Sequence, residues 1–316
     1  MKATGQAILA AALLGACSPF PRTGGGSSFV VEDAERFAAL FADGRIPGAP
    51  LLKTAYLDRG SPGVAIFTPN RIESAENLAK AVAGDTAAYR RAISVCLPVA
   101  RQMQDEASAI IARIGAMLGE REAATAYVVF GAGNSGGTAG AEGLVLGLEV
   151  ICSLADSAPA ASQVLRDFVA HEMAHVYQSR AGLKESADDL LHQSMVEGFA
   201  DFVMERALEG AARTGTERQA YGIANEAVLW REFKSDVDSR RAKTEWLYVQ
   251  RMSIPGRPAD MGYWIGKRIC EAYYAKARDK RAAMRTLLEL RDPRAILAES
   301  GYGDGFSAPA RSAVGR

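Results

Sequence analysis

The chain has 316 residues, is 48% hydrophobic and 8% aromatic, and carries 37 Lys+Arg against 37 Asp+Glu. That length allows one large domain or two small ones. The balanced charge, with no basic run interleaved with aromatics, sets aside nucleic acid as a partner.

Residues 1–16 read as a targeting segment. Met1-Lys2 gives a positive start, and Ala7 to Leu14 form an apolar core too short for a membrane span, which takes about 20 apolar residues. Leu14-Gly15-Ala16-Cys17 resembles the bacterial lipobox. That resemblance implies a lipoprotein signal peptide, acylation of Cys17, and a membrane contact through the lipid. Ser18 in place of Asp favours the outer membrane, facing the periplasm. An ordinary cleaved signal peptide is the alternative. Residues 17–30, rich in Gly, Ser and Pro, read as a flexible tether.

Residues 31–120 read as a helical N-terminal module without a catalytic cluster. Glu32 to Asp43 is amphipathic, with Phe37, Leu40 and Phe41 on one side and Gly44 as a stop. Val64-Ala65-Ile66-Phe67 suggests a short strand. Helices are expected near 72–83, 85–103 and 104–118, the last from the spacing of Ala107, Ile111, Ile114 and Leu118. Cys96, Cys152 and Cys270 remain after residue 17. One pair could bridge in an oxidising compartment, but spacing does not choose it, and small buried hydrophobes are the default.

Residues 125–130 read as a strand, followed by Gly131-Ala-Gly133-Asn-Ser-Gly136. A dinucleotide fingerprint needs a helix directly after such glycines. Here residues 137–143 continue the flexible glycine run, and Leu144 to Ile151 reads as another strand. No nucleotide is expected.

His171-Glu172-Met173-Ala174-His175 uses two of the three His in the chain. Positions i and i+4 share a helix face, so both imidazoles can reach one metal ion. Zn²⁺ suits nitrogen ligands, and Glu172 is placed to act as base for an attacking water. This helix should span about 159–181, opened by Ser157 and Pro159 and closed by Gly182. The next, 190–207, carries Glu197 and Asp201, again at i and i+4. The intervening chain is long enough to turn and return antiparallel. Ser186 with Asp189 reads as its N-cap, which argues against Asp188 or Asp189 as a ligand. His192 reads as a surface histidine that could instead line the cleft. Residues 210–258 read as polar helix and loop anchored by Trp230, Phe233 and Trp246.

The HEMAH and EGFAD stretches resemble the gluzincin metallopeptidases, the thermolysin-like clan. The resemblance implies His171, His175 and Glu197 as zinc ligands, Glu172 as general base and Asp201 as partner of His171. The metzincin pattern does not fit, because its Gly and third His would fall at Gln178 and Ala181. Gluzincins also use a Tyr well past the third ligand to donate to the oxyanion. Tyr263 stands at such a position, with a core aromatic as the alternative role. Together with the run GAGNSGGTAGAEGLVLGLEV, these motifs resemble a bacterial family described as zinc-dependent proteases, formerly a domain of unknown function, over residues 50–305.

The expected fold is therefore α+β and mostly helical. A zinc helix lies against a small sheet with an exposed edge strand, in a domain covering 121–305, with 306–316 as a frayed tail. The expected activity is hydrolysis of envelope or periplasmic peptides or proteins. The rival is a zinc-stabilised lipoprotein that binds partners without cleaving them.

Overall fold

The computed structural model describes residues 28–183, 189–237, 243–248 and 254–306. Cys17, Ser186, Asp188 and the segment after Phe306 lie outside the described residues.

The chain enters through β1 (Phe29–Val30) and α1 (Glu32–Ala39), then α2 (Ala49–Ala55) and α3 (Pro62–Phe67). Two residues of the expected tether thus pair into the sheet, because the buried Phe29 anchors them. The strand expected at Val64–Phe67 is helix α3 instead. Ser61 accepts from the Gly63 N–H and Pro62 sits in the first turn, so a helix-start signal overrides β-branched content. A π turn, Thr68–Ile72, follows. Next come α4 (Ala75–Gly84), α5 (Thr86–Arg91), α6 (Leu97–Gln102) and α7 (Gln104–Leu118). The expected helix over 85–103 holds a second π turn, Ala92–Cys96, between α5 and α6.

The sheet continues with β2 (Ala126–Val129), β3 (Gly137–Gly140) and β4 (Gly143–Gly147). Its order is β1-β2-β4-β3; β1, β2 and β4 run parallel, and β3 pairs antiparallel with β4. The glycine run expected to be flexible therefore contains a strand. Pairing with β4 overrides the poor strand propensity of glycine. The second expected strand is cut to five residues, and α8 (Leu148–Ser153) replaces its end. Glu149 on α8 accepts from the N–H groups of Gly131 and Gly133, so the glycine loop is organised by a buried carboxylate of the chain itself.

Then come α9 (Ala158–Arg180), α10 (Leu190–Ala207), α11 (Thr216–Asp236), α12 (Lys243–Trp246), α13 (Met261–Lys276), α14 (Lys280–Glu289) and α15 (Pro293–Ser300). Ser157 caps α9, Gly182 follows it at φ +78°, and Asp189 caps α10.

One hydrophobic core runs from Phe29 to Tyr302 across residue 120. Phe37 stacks on Phe130 at 4.4 Å between ring centroids. The Tyr56 hydroxyl bridges the Phe130 N–H and C=O. A Cys96–Cys152 disulfide ties the second π turn to α8, while Cys270 is free and buried. The default reading of all three cysteines as small hydrophobes thus holds for Cys270 alone. The protein is mostly helical with a small mixed sheet, an α+β architecture. No helix of the described residues is long and apolar enough to cross a membrane.

Candidate metal centre

Helix α9 lies beside β3 and β4, and α10 returns across it. Three donor atoms meet where they face each other. His171 Nε2 and His175 Nε2 stand 3.2 Å apart, and Glu197 Oε2 is 3.3 Å from each. A tetrahedral shell with ligand bonds of about 2.0–2.1 Å has edges of about 3.3–3.4 Å. The triangle thus has the size that one such ion requires, and the group could hold a metal ion.

The second nitrogen of each ring explains why these lone pairs face inward. His171 Nδ1 lies 3.0 Å from Asp201 Oδ1, whose other oxygen receives Arg218 Nη2 at 3.0 Å. A carboxylate only accepts, so the ring donates Nδ1–H to Asp201 and turns Nε2 into the triangle, where either a proton or a metal ion can sit. His175 Nδ1 lies 2.7 Å from Gln178 Oε1. The Gln178 amide nitrogen is committed to the Val196 carbonyl at 3.1 Å, which orients its oxygen towards His175. Three such atoms converging within hydrogen-bond distance are satisfied by a shared cation, a proton or a metal ion.

The electrostatics agree. Burial opposes charge on His171, yet the Asp201 and Glu197 carboxylates outweigh it and hold the ring at about 10. His175 is also raised, against burial, by Glu197. Burial likewise works against ionised Glu197 and Asp201, but the imidazoles hold both below the usual carboxylate range. The surroundings that hold a proton on these rings are those that attract a metal cation.

No family model matches this chain, and no curated protein or solved structure does either.

Glu172 lines both a cleft of about 570 Å³, which also contains His175 and Glu197, and a smaller cavity of about 170 Å³, which contains His171, Asp201 and Tyr263. Its carboxylate makes no hydrogen bond with a described residue, and both imidazoles feel its charge. Tyr263 stacks 6.1 Å from the His171 ring and is partly buried, packed against the hydrophobic core. Burial pushes its phenol well above the ordinary value, so it stays a donor.

Sequence reasoning missed three residues here. The Tyr248 hydroxyl lies 2.9 Å from Glu197 Oε1 and 3.0 Å from Gln193 Oε1. It occupies the glutamate oxygen that does not face the histidines. Nothing in its sequence surroundings marks it, because its partner is on another element. Gln178 was legible only as the residue one turn past His175. Arg71 arrives at the cleft from the N-terminal helices. His192, expected at the surface, is 7% exposed, and burial lowers its pKa.

Proposed function

We propose that this protein is a zinc-dependent peptidase. The observation that carries the reading is Glu172: a carboxylate without a hydrogen-bond partner among the described residues, next to a histidine–histidine–glutamate donor set and open to a cleft. His171, His175 and Glu197 would hold the ion, and two nitrogens with one carboxylate oxygen suit Zn²⁺. When bound, zinc supplies Lewis acidity, polarising the scissile carbonyl and acidifying a water.

The chain's own residues do the rest. Glu172 accepts the proton of the attacking water and passes it to the leaving amine. Tyr263 donates its O–H to the oxygen that gains charge. Asp201 and Gln178 hold the imidazoles in the tautomer that offers Nε2. Strand β3 ends the sheet and lines the same cleft, so an extended peptide can pair with its open side. A lipid anchor at Cys17 and an envelope substrate belong to the same proposal and rest on Leu14-Gly15-Ala16-Cys17. Mass spectrometry finding an unmodified mature N-terminus at another residue would remove the anchor.

The deciding variant is Glu172→Gln, which keeps shape and loses the base. Zinc content and fold should survive, while peptide hydrolysis falls by roughly 10²–10⁴-fold. Wild-type rates in the variant would remove Glu172 from the mechanism. Absence of hydrolysis by zinc-loaded wild type across a broad peptide library would favour the non-catalytic binder.

A further inference from the structure

The cleft beside β3 holds a charge that the peptidase reading does not use. Among the described residues lining it, Arg71 is the only Lys or Arg. Its Nε donates to Thr138 Oγ1 at 3.3 Å, which sets the guanidinium against the edge strand. It forms no ion pair with any carboxylate of the described residues. Glu172 and Glu197 line the same cleft, and neither pairs with it.

The backbone that carries Arg71 is held firmly. Asn134 Nδ2 donates to the Arg71 carbonyl and Asn77 Nδ2 to the Ile72 carbonyl, each at 3.0 Å. Ile72 is fully buried, and the π turn closes at Glu73 with φ +65°. A non-glycine residue at that φ is uncommon and costs on the order of 1–3 kcal/mol. The fold thus maintains a costly turn that sets into the cleft lining a guanidinium with no carboxylate partner among the described residues.

We infer that Arg71 is a specificity-determining residue that binds a carboxylate of the substrate. A peptide paired with β3 runs past Arg71. The guanidinium fork matches a carboxylate in geometry as well as charge, and among the described residues no carboxylate has to be displaced before binding. The carboxylate comes from an acidic side chain or from the C-terminus of a short peptide. This rests on the reading that the cleft binds peptides, and it names the class of peptide.

The test measures binding to zinc-loaded Glu172→Gln protein, so catalysis is not required. Four versions of one heptapeptide carry Glu or Gln at one position, each with a free or amidated C-terminus. A carboxylate-bearing version should bind about 10- to 100-fold tighter than the doubly neutral one. The two arms identify the source. In Glu172→Gln/Arg71→Gln the ratio should fall to near one. Arg71→Glu should invert the preference towards a Lys-bearing peptide, which guards against a misfolded variant. Equal affinity for all four peptides, no binding at all, or a ratio unchanged by Arg71→Gln would overturn the assignment. Binding preference without hydrolysis by wild type would sink the peptidase and leave Arg71 standing. Hydrolysis without preference would do the reverse.

Discussion

Gly198 and Gly266 face each other at the crossing of α10 and α13. A Cβ built on Gly198 would stand 2.6 Å from the Gly266 Cα, and one on Gly266 would stand 1.7 Å from the Ser194 carbonyl oxygen. Gly198 follows Glu197 directly, and Gly266 lies one turn past Tyr263. The backbone contact therefore sets the spacing between a metal-site carboxylate and the tyrosine beside His171. Neither obstacle is a flexible side chain, so helices must move apart to admit a methyl group. Gly266→Ala should cost at least about 1–3 kcal/mol, the usual range for overpacking. Chemical denaturation measures the loss, and a stability equal to wild type would show that the crossing is more compliant than its contacts.

The ring-nitrogen partners should govern metal affinity without being ligands. Asp201→Asn and Gln178→Leu should each weaken zinc binding by about 10- to 100-fold. His175→Ala removes a donor and should abolish stoichiometric binding. Competition with a calibrated chelator gives the constants. Wild-type affinity in both partner variants would mean the imidazoles are oriented by packing alone.

Glu149 should make stability depend on pH. Burial raises its carboxyl to about 7 from an ordinary 4.5, against the opposing N–H groups of Gly131 and Gly133. A raised carboxyl pKa means the unfolded chain releases this proton first. The favourable contribution is complete below about 4.5 and is lost as pH rises through 7, a change on the order of 3 kcal/mol. Glu149→Gln keeps an oxygen acceptor for both amides and cannot ionise. Wild type should lose more stability than this variant between pH 5 and pH 8. Parallel denaturation curves across that range would refute the assignment.

The Cys96–Cys152 disulfide closes a loop of 56 residues. Loop-closure entropy for that length contributes roughly 4 kcal/mol. Replacing both cysteines with alanine should lower the denaturation midpoint accordingly. Cys270→Ala, which breaks no bridge, should show only the small effect of a trimmed core residue. If mass mapping of the oxidised protein finds Cys270 in a bridge, the pairing is wrong.

Local spacing determined much of this protein. The i,i+4 pairs His171/His175 and Glu197/Asp201 put their side chains on single helix faces wherever the helices go. Ser157 and Asp189 fixed where those helices begin, because a side-chain acceptor next to free N–H groups is a local event. Tertiary structure decided what spacing cannot express. Packing of α10 on α9 brought Glu197 Oε2 to 3.3 Å from both imidazoles. Pairing with β4 turned Gly137–Gly140 into a strand despite glycine's preferences. Tyr248, Gln178 and Arg71 joined the site through partners distant in the chain or on neighbouring elements. A helix face follows from the covalent repeat of the backbone. The meeting of two faces follows from which apolar surfaces bury each other, and that is a property of the whole folded chain.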